Sequence, residues 1–491
     1  MKKPFKDIML IVSVLTAFVL VCQIWFSSFF LPGGYEFFVS GFRQYVVSPV
    51  KNLLKQMSGG DFSQNLKALY QPETIVLHSS GERRAYTKGT KGFTEAFLLS
   101  NEVMQELLSG AYPVKSREIV DIDTYHSVLK GKSIYVNYGK NCDYRLFSFS
   151  ISGETQNRFA EDLSTVRSYI ISLQDGIMNN ISFFVTDQKS GNAYRYVVEA
   201  DKNALDLRLT ELIQSTEKTN PLSYSFELNF HKLQEQTPTK ILFEPSVLME
   251  LSQVQLPSVK SHVADFFGAE IDNEFLEDIL RTFSINTRSV WRYTDLSNAR
   301  VFVENDATLT LSADGYLEYQ AVGDGRGLDI SGGKNSYDIY AATTDAVDFV
   351  TELCQNIPDD YFDHLRIQTD LVDDASRQGV YKICFDYCIG GVPVRYQIGD
   401  RYAHAIEIEI VGGYLQAYRQ YVKLYENTED TPNVLMPVLQ AADLLVDRQY
   451  NGTDPLYVSE IEPCYVDVVS EADLILPMWR AMVDDGEQII G

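Results

Sequence analysis

The stretch HAIEIEIVGG, residues 404–413, decides the fold class. Ile406, Ile408 and Ile410 alternate with Glu407 and Glu409, so one side is apolar and the other charged. A period of two belongs to a β-strand with one wet face, which is the habit of antiparallel sheets. Gly412 and Gly413 close the strand, and YLQAYRQYVKLYE (414–426) continues it as a meander. Working backwards, VPVRYQIG (392–399) and VYKICFDYCIGG (380–391) read as strands, and TDAVDFVTELCQNI (344–357) as a helix. Working forwards, VLMPVLQAADLLVD (434–447) is helical, and PCYVDVVS (463–470) and ILPMWRAMVD (475–484) close as strands. Helices interrupting antiparallel strands predict an α+β layer and not a Rossmann fold.

The same reading extends to the residues before. A middle unit, 234–337, offers a helix in NEFLEDILRTFSI (273–285) and then strands VWRYTD, ARVFVEN, LTLSADG and YLEYQAV. Ala313-Asp314-Gly315 is a tight turn between two of them. The Gly-rich GDGRGLDISGGK (323–334) marks its boundary with the C-terminal unit, 338–491. In an N-terminal unit, 71–233, TIVLHS, KSIYVNYG and YRLFSFSIS read as strands. NISFFVTD and AYRYVVEA read as a hairpin. Phe93, Phe97, Met104 and Leu107 fall at helical spacing and stop at Gly110. Phe159, Leu163, Val166, Ile170 and Leu173 suggest a second helix, and Leu205, Leu209 and Leu212 a third. The expected ectodomain therefore has about three antiparallel-sheet-plus-helix units.

The N-terminus sets the compartment. Lys2, Lys3 and Lys6 precede a charge-free apolar run, Ile8 to Leu31. At ~1.5 Å per residue this run spans a ~30 Å hydrocarbon core. The lysine bias puts the N-terminus in the cytoplasm and the rest outside. Residues 1–31 are thus expected to be a cytoplasmic tip and transmembrane helix, and 32–70 a juxtamembrane connector. A cleaved signal peptide would have a shorter apolar region and a small-residue cleavage site. A lipoprotein would use Cys22, but Val21 stands where a small residue is expected. No later stretch is comparable, so the expected protein is single-pass, at the cell membrane, with an extracytoplasmic C-terminal body.

Lys and Arg total 42 against 67 Asp and Glu, a net charge of −25, which argues against nucleic-acid binding and against a polybasic membrane contact. The cysteines Cys142, Cys354, Cys384, Cys388 and Cys464 follow the apolar run, an odd number scattered over a long chain and not a disulfide framework. Cys384 and Cys388 share a strand face but stand ~13 Å apart, too far to bridge each other. Ser331-Gly332-Gly333-Lys334 matches S-x-x-K, but that serine must open a helix and here lies between glycines and strands. The same glycines fit neither phosphate-cradling pattern. His78, His126, His231, His262, His364 and His404 show no zinc spacing. Asp359, Asp360 and Asp363, and Asp373 with Asp374, are carboxylate clusters of the kind chance supplies in an acidic chain. No catalytic, cofactor-binding or metal-binding residue stands out, and neither an enzymatic activity nor a cofactor nor a small-molecule substrate is expected.

A resemblance adds to this. Tyr293-Thr294-Asp295, Arg300-Val301-Phe302-Val303 and Gly315-Tyr316-Leu317-Glu318-Tyr319 in the middle unit resemble the YycH/YycI families of Gram-positive bacteria. So do Phe385 to Gly391, Val392-Pro393-Val394, YLQAYRQYVKLY and the terminal Leu476-Pro477-Met478-Trp479-Arg480. The middle unit is the more YycH-like and the C-terminal unit the more YycI-like. The resemblance implies a single-pass membrane protein that modulates a sensor histidine kinase of the WalK/WalR (YycG/YycF) two-component system, which controls cell-wall metabolism. It implies contact with that WalK/YycG-like kinase and with a second YycH/YycI-type protein, and no catalysis. Two other readings stay open on the residues alone: an ectodomain that binds cell-wall glycan or peptide, and an extracytoplasmic hydrolase without a recognised motif. Trp479 and Tyr319 are expected in sheet cores, and Pro477 at a strand start or edge.

Overall fold

A computed structural model describes residue 66 and residues 69–491, apart from 80, 175–178, 188, 216–221, 229–240, 251–252, 264–272, 305–306, 324–326, 334–336, 356, 358–360, 369–378, 429–431, 450–454, 469–473 and 484–485. The expected transmembrane helix and almost all of the connector lie outside the described residues. Among the described residues no helix is long and apolar enough to cross a membrane.

Seven strands make the first sheet: β1 (Thr74–Ser79), β2 (Glu82–Thr87), β3 (Val114–Val120), β4 (Ser133–Asp143), β5 (Thr165–Ser172), β6 (Asn180–Asp187) and β7 (Asn192–Glu199). Their order is β2-β1-β4-β5-β6-β7-β3, and every pairing is antiparallel. Helix α1 (Phe93–Ser109) ends at Gly110, which takes the left-handed conformation as the sequence predicts. The helices α2 (Ile122–Val128), α3 (Tyr144–Ser152) and α4 (Lys202–Ser215) complete this layer.

Two local expectations are corrected here. YRLFSFSIS, read as a strand, is α3: the Asp143 carboxylate accepts from Arg145 N at its start, and Gly153 at φ 79° stops it. A cap and a stop seven or more residues apart outweigh a two-residue alternation. The stripe from Phe159 to Leu173, read as a helix, runs instead into β5, which is buried on both faces. Half of β5 is polar (Thr165, Arg167, Ser168 and Ser172), yet all but Arg167 is buried, so spacing does not discriminate, and Val166, Ile170 and Ile171 favour the sheet.

The second sheet has fifteen strands. Its main path uses β8 (Trp291–Thr294), β9 (Arg300–Glu304), β10 (Ala307–Leu311), β11 (Tyr316–Ala321), β13 (Val380–Ile389), β14 (Val392–Ile398), β15 (Ile406–Val411), β16 (Tyr414–Tyr421), β17 (Leu456–Val468), β18 (Pro477–Val483) and β19 (Gly486–Ile490). The short β12 (Leu365–Ile367) pairs with β13 off this path. The path runs β8-β9-β10-β11-β16-β15-β13-β14-β17-β18-β19. The pairing of β11 with β16, Tyr319 against Tyr418, joins the middle and C-terminal stretches of sequence in one sheet. The turn before β11 has Gly315 at φ +86°, as Ala-Asp-Gly predicts.

The helix α5 (Asn273–Thr282) and α6 (Ile339–Cys354) lie on this sheet. Val347, Val350 and Leu353 of α6 are fully buried, and Phe349 meets Tyr418 edge-on with ring centroids 5.5 Å apart. Each such side chain stabilises the fold by about 1.5–3 kcal/mol. Helix α7 (Val438–Gln449) packs Leu445 with Val458 and Trp479. Tyr319 and Trp479 are core residues and Pro477 opens β18, as expected.

The described residues form one compact unit. At one point the first sheet touches the second backbone to backbone. The turn after β2 meets the β13–β14 turn, and a Cβ added to Gly391 would lie 1.9 Å from Lys88 O.

Candidate functional site

The arrangement that most needs explaining is a seam of buried charge between the two sheets. It begins just before β1. Glu73 N donates to Asn137 O at 2.9 Å, which ties the carboxylate to β4. The register of β4 slips between Asn137 and Cys142, and Gly139 N donates to Asn137 Oδ1 at 3.0 Å within that slip. Gly139 stands at φ +73°, and a Cβ there would lie 2.0 Å from Glu73 Oε2. The bulge and its glycine therefore make the space that Glu73 fills. The next residue, Lys140, is turned toward the second sheet, where its Nζ lies 3.1 Å from Glu460 Oε2.

The second sheet supplies the rest. Glu460 and Glu462 are two apart on β17 and share a face. Arg480 stands opposite Glu462 in the register of β17 and β18 and is almost wholly buried. It donates to Glu462, lies 3.8 Å from Glu460, and donates through Nε to Glu487 Oε1 at 2.7 Å. Arg366 Nη2 lies 3.5 Å from Glu73 Oε1, and Gln368 Nε2 donates to the same oxygen at 3.2 Å. The seam continues to Asp386, which accepts from Arg395 Nη1 at 2.9 Å and lies 2.6 Å from His404 Nδ1. Arg395 also donates to Glu487, and Arg167 adds positive charge beside Glu460 and Glu73. Six carboxylates (Glu73, Asp386, Glu460, Glu462, Glu487 and Glu244, which lies 3.7 Å from Arg167) thus face five cations (Lys140, Arg167, Arg366, Arg395, Arg480).

Removal of charges from water is costly, and only mutual neutralisation makes it tolerable. The carboxylates respond unequally. Burial and the neighbouring Glu460 push the Glu462 carboxyl up to about 7, against the opposing pull of Arg480. Burial also works to raise Glu460, but Lys140 and Arg480 outweigh it and bring it down to about 2. Asp386 is held far below the usual carboxylate range: burial opposes this, but His404 and Arg395 prevail. Two neighbours on one strand are thus driven in opposite directions, Glu462 up and Glu460 down.

Glu73, Glu460 and Glu462 bring carboxylate oxygens within 4.8 Å of one another, which is metal-ligand geometry. Yet Lys140 and Arg480 already bind Glu460 and Glu462, and Gln368 donates to Glu73 with Arg366 3.5 Å away, so a divalent ion would have to displace them. The donor set fits an ionic joint and not a cation site.

A separate cleft of about 410 Å³ is lined by Asp143, Arg145, Lys189 and Asp338. Its two carboxylates are both tied to Arg145, at 2.9 and 2.8 Å. Asp338 also caps α6 by accepting from Ala341 N at 3.0 Å. Its pKa is lowered: burial opposes, but the Ala341 amide and Arg145 win. Both carboxylates are committed to one guanidinium, an arrangement that ties the start of α3 to the start of α6.

The residues weighed from sequence scatter. Ser331 follows a short strand, donates to Asp329 Oδ1 at 2.8 Å and opens no helix, and Lys334 lies outside the described residues. The five cysteines after the apolar run are thiols. His364 stacks on Tyr387, His126 stacks on Phe226, and His262 is exposed on a short strand. Asp359, Asp360, Asp373, Asp374 and His231 lie outside the described residues. Only His404 joins the seam. Glu460 and Glu462 fall before Pro463, where the sequence reading starts its strand, whereas β17 begins at Leu456. The signal was present: Glu460 and Glu462 flank Ile461, and a lone Arg480 sits in the apolar strand PMWRAMV.

The crystal structure of YycH from Bacillus subtilis aligns with a TM-score of 0.55, at 12% identity, covering 87% of this chain and 97% of that one. The chain has the YycH fold. An uncharacterized protein from Eubacterium rectale ATCC 33656 aligns at 13% identity over 48% of this chain and 82% of its own, with a TM-score of 0.28, which carries no argument. No family model matches the sequence, and no curated protein matches it either.

Proposed function

We propose that this chain is a non-enzymatic regulator of a sensor histidine kinase in a cell-wall-related two-component system, acting by protein–protein contact. In this reading residues 1–31 anchor it in the cell membrane with the N-terminus cytoplasmic. Residues 32–70 connect the anchor to an extracytoplasmic body made of the 71–233, 234–337 and 338–491 stretches. The observation that carries the reading is the alignment over nearly the whole length of YycH. The apolar run 8–31 with its leading lysines supports the anchor. An anchor confines the protein to the bilayer plane and raises its effective concentration beside a membrane kinase. Regulation then requires unequal binding to two kinase states.

The test is co-purification from membranes of the full chain, and of the chain lacking residues 1–31, with a WalK/YycG-like kinase. Kinase autophosphorylation is measured in parallel. The expected result is co-purification that the truncation abolishes, with a change in autophosphorylation when the full chain is present. Equal autophosphorylation with and without the full chain would count against the reading.

A further inference from the structure

We propose that the β8 edge of the second sheet is a docking site for an extended, acidic strand of a partner protein. β8 ends the strand order of that sheet, and among the described residues nothing pairs with its outer side. Proteins normally blunt such an edge, because its free N–H and C=O groups template another strand. Here the edge is decorated instead. Trp291 is 67% exposed and Tyr293 43%, on the same face, with ring centroids 5.0 Å apart. Leu296, in the turn that follows, is fully exposed. The strand carries no Pro and no bulge, and its pairing with β9 is regular from Trp291–Val303 to Thr294–Arg300; its short length and the charge of Arg292 discourage strands that bring no carboxylate.

Charge selects the occupant. In a chain of 67 acidic and 42 basic residues, carboxylates are in excess, and a cation readily finds one. Arg281 does so, pairing with Asp278 at 2.8 Å. Arg288 and Arg292 are both exposed, and among the described residues their guanidinium groups have no partner. Two unmatched guanidinium groups beside a free strand edge fit carboxylates carried on an added strand. A second copy of this chain fits poorly, because pairing β8 with itself brings Arg288 and Arg292 toward their own images. The reading of the chain as a regulator enters only in that the occupant is a protein. The assay below needs no kinase, so its failure and the failure of co-purification are distinguishable.

The experiment measures fluorescence anisotropy of a labelled, end-blocked heptapeptide of alternating Glu and Val, titrated with the full chain in detergent micelles. An alternating Lys and Val peptide of equal length is the control. The expected result is saturable binding of the acidic peptide, at least about fivefold weaker for the basic one and for Arg292→Glu. Trp291→Ser should also weaken it, and because both positions are exposed, both variants should keep the wild-type melting curve. Equal binding of the two peptides, no binding, or binding indifferent to Arg292→Glu overturns the proposal. So does an edge taken by a second copy, seen as concentration-dependent sedimentation lost in Arg292→Glu. Binding of vesicles of anionic phospholipid that Trp291→Ser abolishes, without peptide binding, assigns the edge to a bilayer and overturns it as well.

Discussion

Replacing Glu462 by glutamine should make stability less dependent on pH between about 5 and 7.5. Glu462 is raised by burial and by Glu460 from an ordinary value of 4.5 to about 7. Below 4.5 it is protonated in both folded and unfolded chains, and its contribution to stability is fully present. As pH rises from 4.5 to 7 the unfolded chain releases the proton and the folded chain keeps it, so stability falls by up to about 1.4 kcal/mol per pH unit. Glu460, lowered to about 2, contributes in the opposite sense, but it loses its stabilisation only as pH falls below 4.5, outside this window. The full window is worth at most about 3 kcal/mol, and relaxation around the carboxyl reduces this to about 1–2 kcal/mol. Glutamine keeps the shape and has no proton to lose. For a body of this size about 1 kcal/mol moves Tm by about 1 °C. Thermal melts of wild type and Glu462→Gln at pH 5 and pH 7.5 should therefore show the variant gaining about 1.5 °C on the wild type at the higher pH. Other titrating groups are common to both proteins and cancel in the difference. A gap that stays constant across the two pH values would refute the placement of Glu462 in a shared, water-poor cluster.

Three further outcomes follow from the same structure. Arg480→Met removes the cation shared by Glu460, Glu462 and Glu487 and should cost about 3–5 kcal/mol, read by chemical denaturation. Gly391→Ala should destabilise by more than about 2 kcal/mol, because its φ is +87° and its Cβ would strike Lys88 O. Gly399→Ala, at φ +61° with open space, should cost only about 1 kcal/mol, and paired melts check the contrast. Trp479→Ala should cost about 3–5 kcal/mol, since the buried indole also donates to Met436 O at 2.9 Å. Wild-type stability in that last variant would place the ring outside the core.

Much of this architecture was legible because it rests on short-range pattern. The alternation of Ile406, Ile408 and Ile410, the Gly110 helix stop and the Ala-Asp-Gly turn at 313–315 each encode a local shape, and each appears where it was read. The misreadings share one cause. β5 is buried on both faces, and α3 presents aromatic and serine residues at near-alternate positions, so hydrophobic spacing stops reporting the backbone period there. The charge seam was illegible for another reason. Glu73, Lys140, Arg366 and Glu460 are hundreds of residues apart in some pairs, and only the stacking of the sheets makes them neighbours. An isolated Glu or Arg in an acidic sequence looks like solvated surface until its partner across the fold is known.

The crossing of Gly391 and Lys88 has a mechanical meaning. Where main chain rests on main chain there is no side chain to slide, flatten or swap rotamers. The two turns therefore keep their separation only while position 391 carries no side chain, and no neighbour can yield to accommodate one.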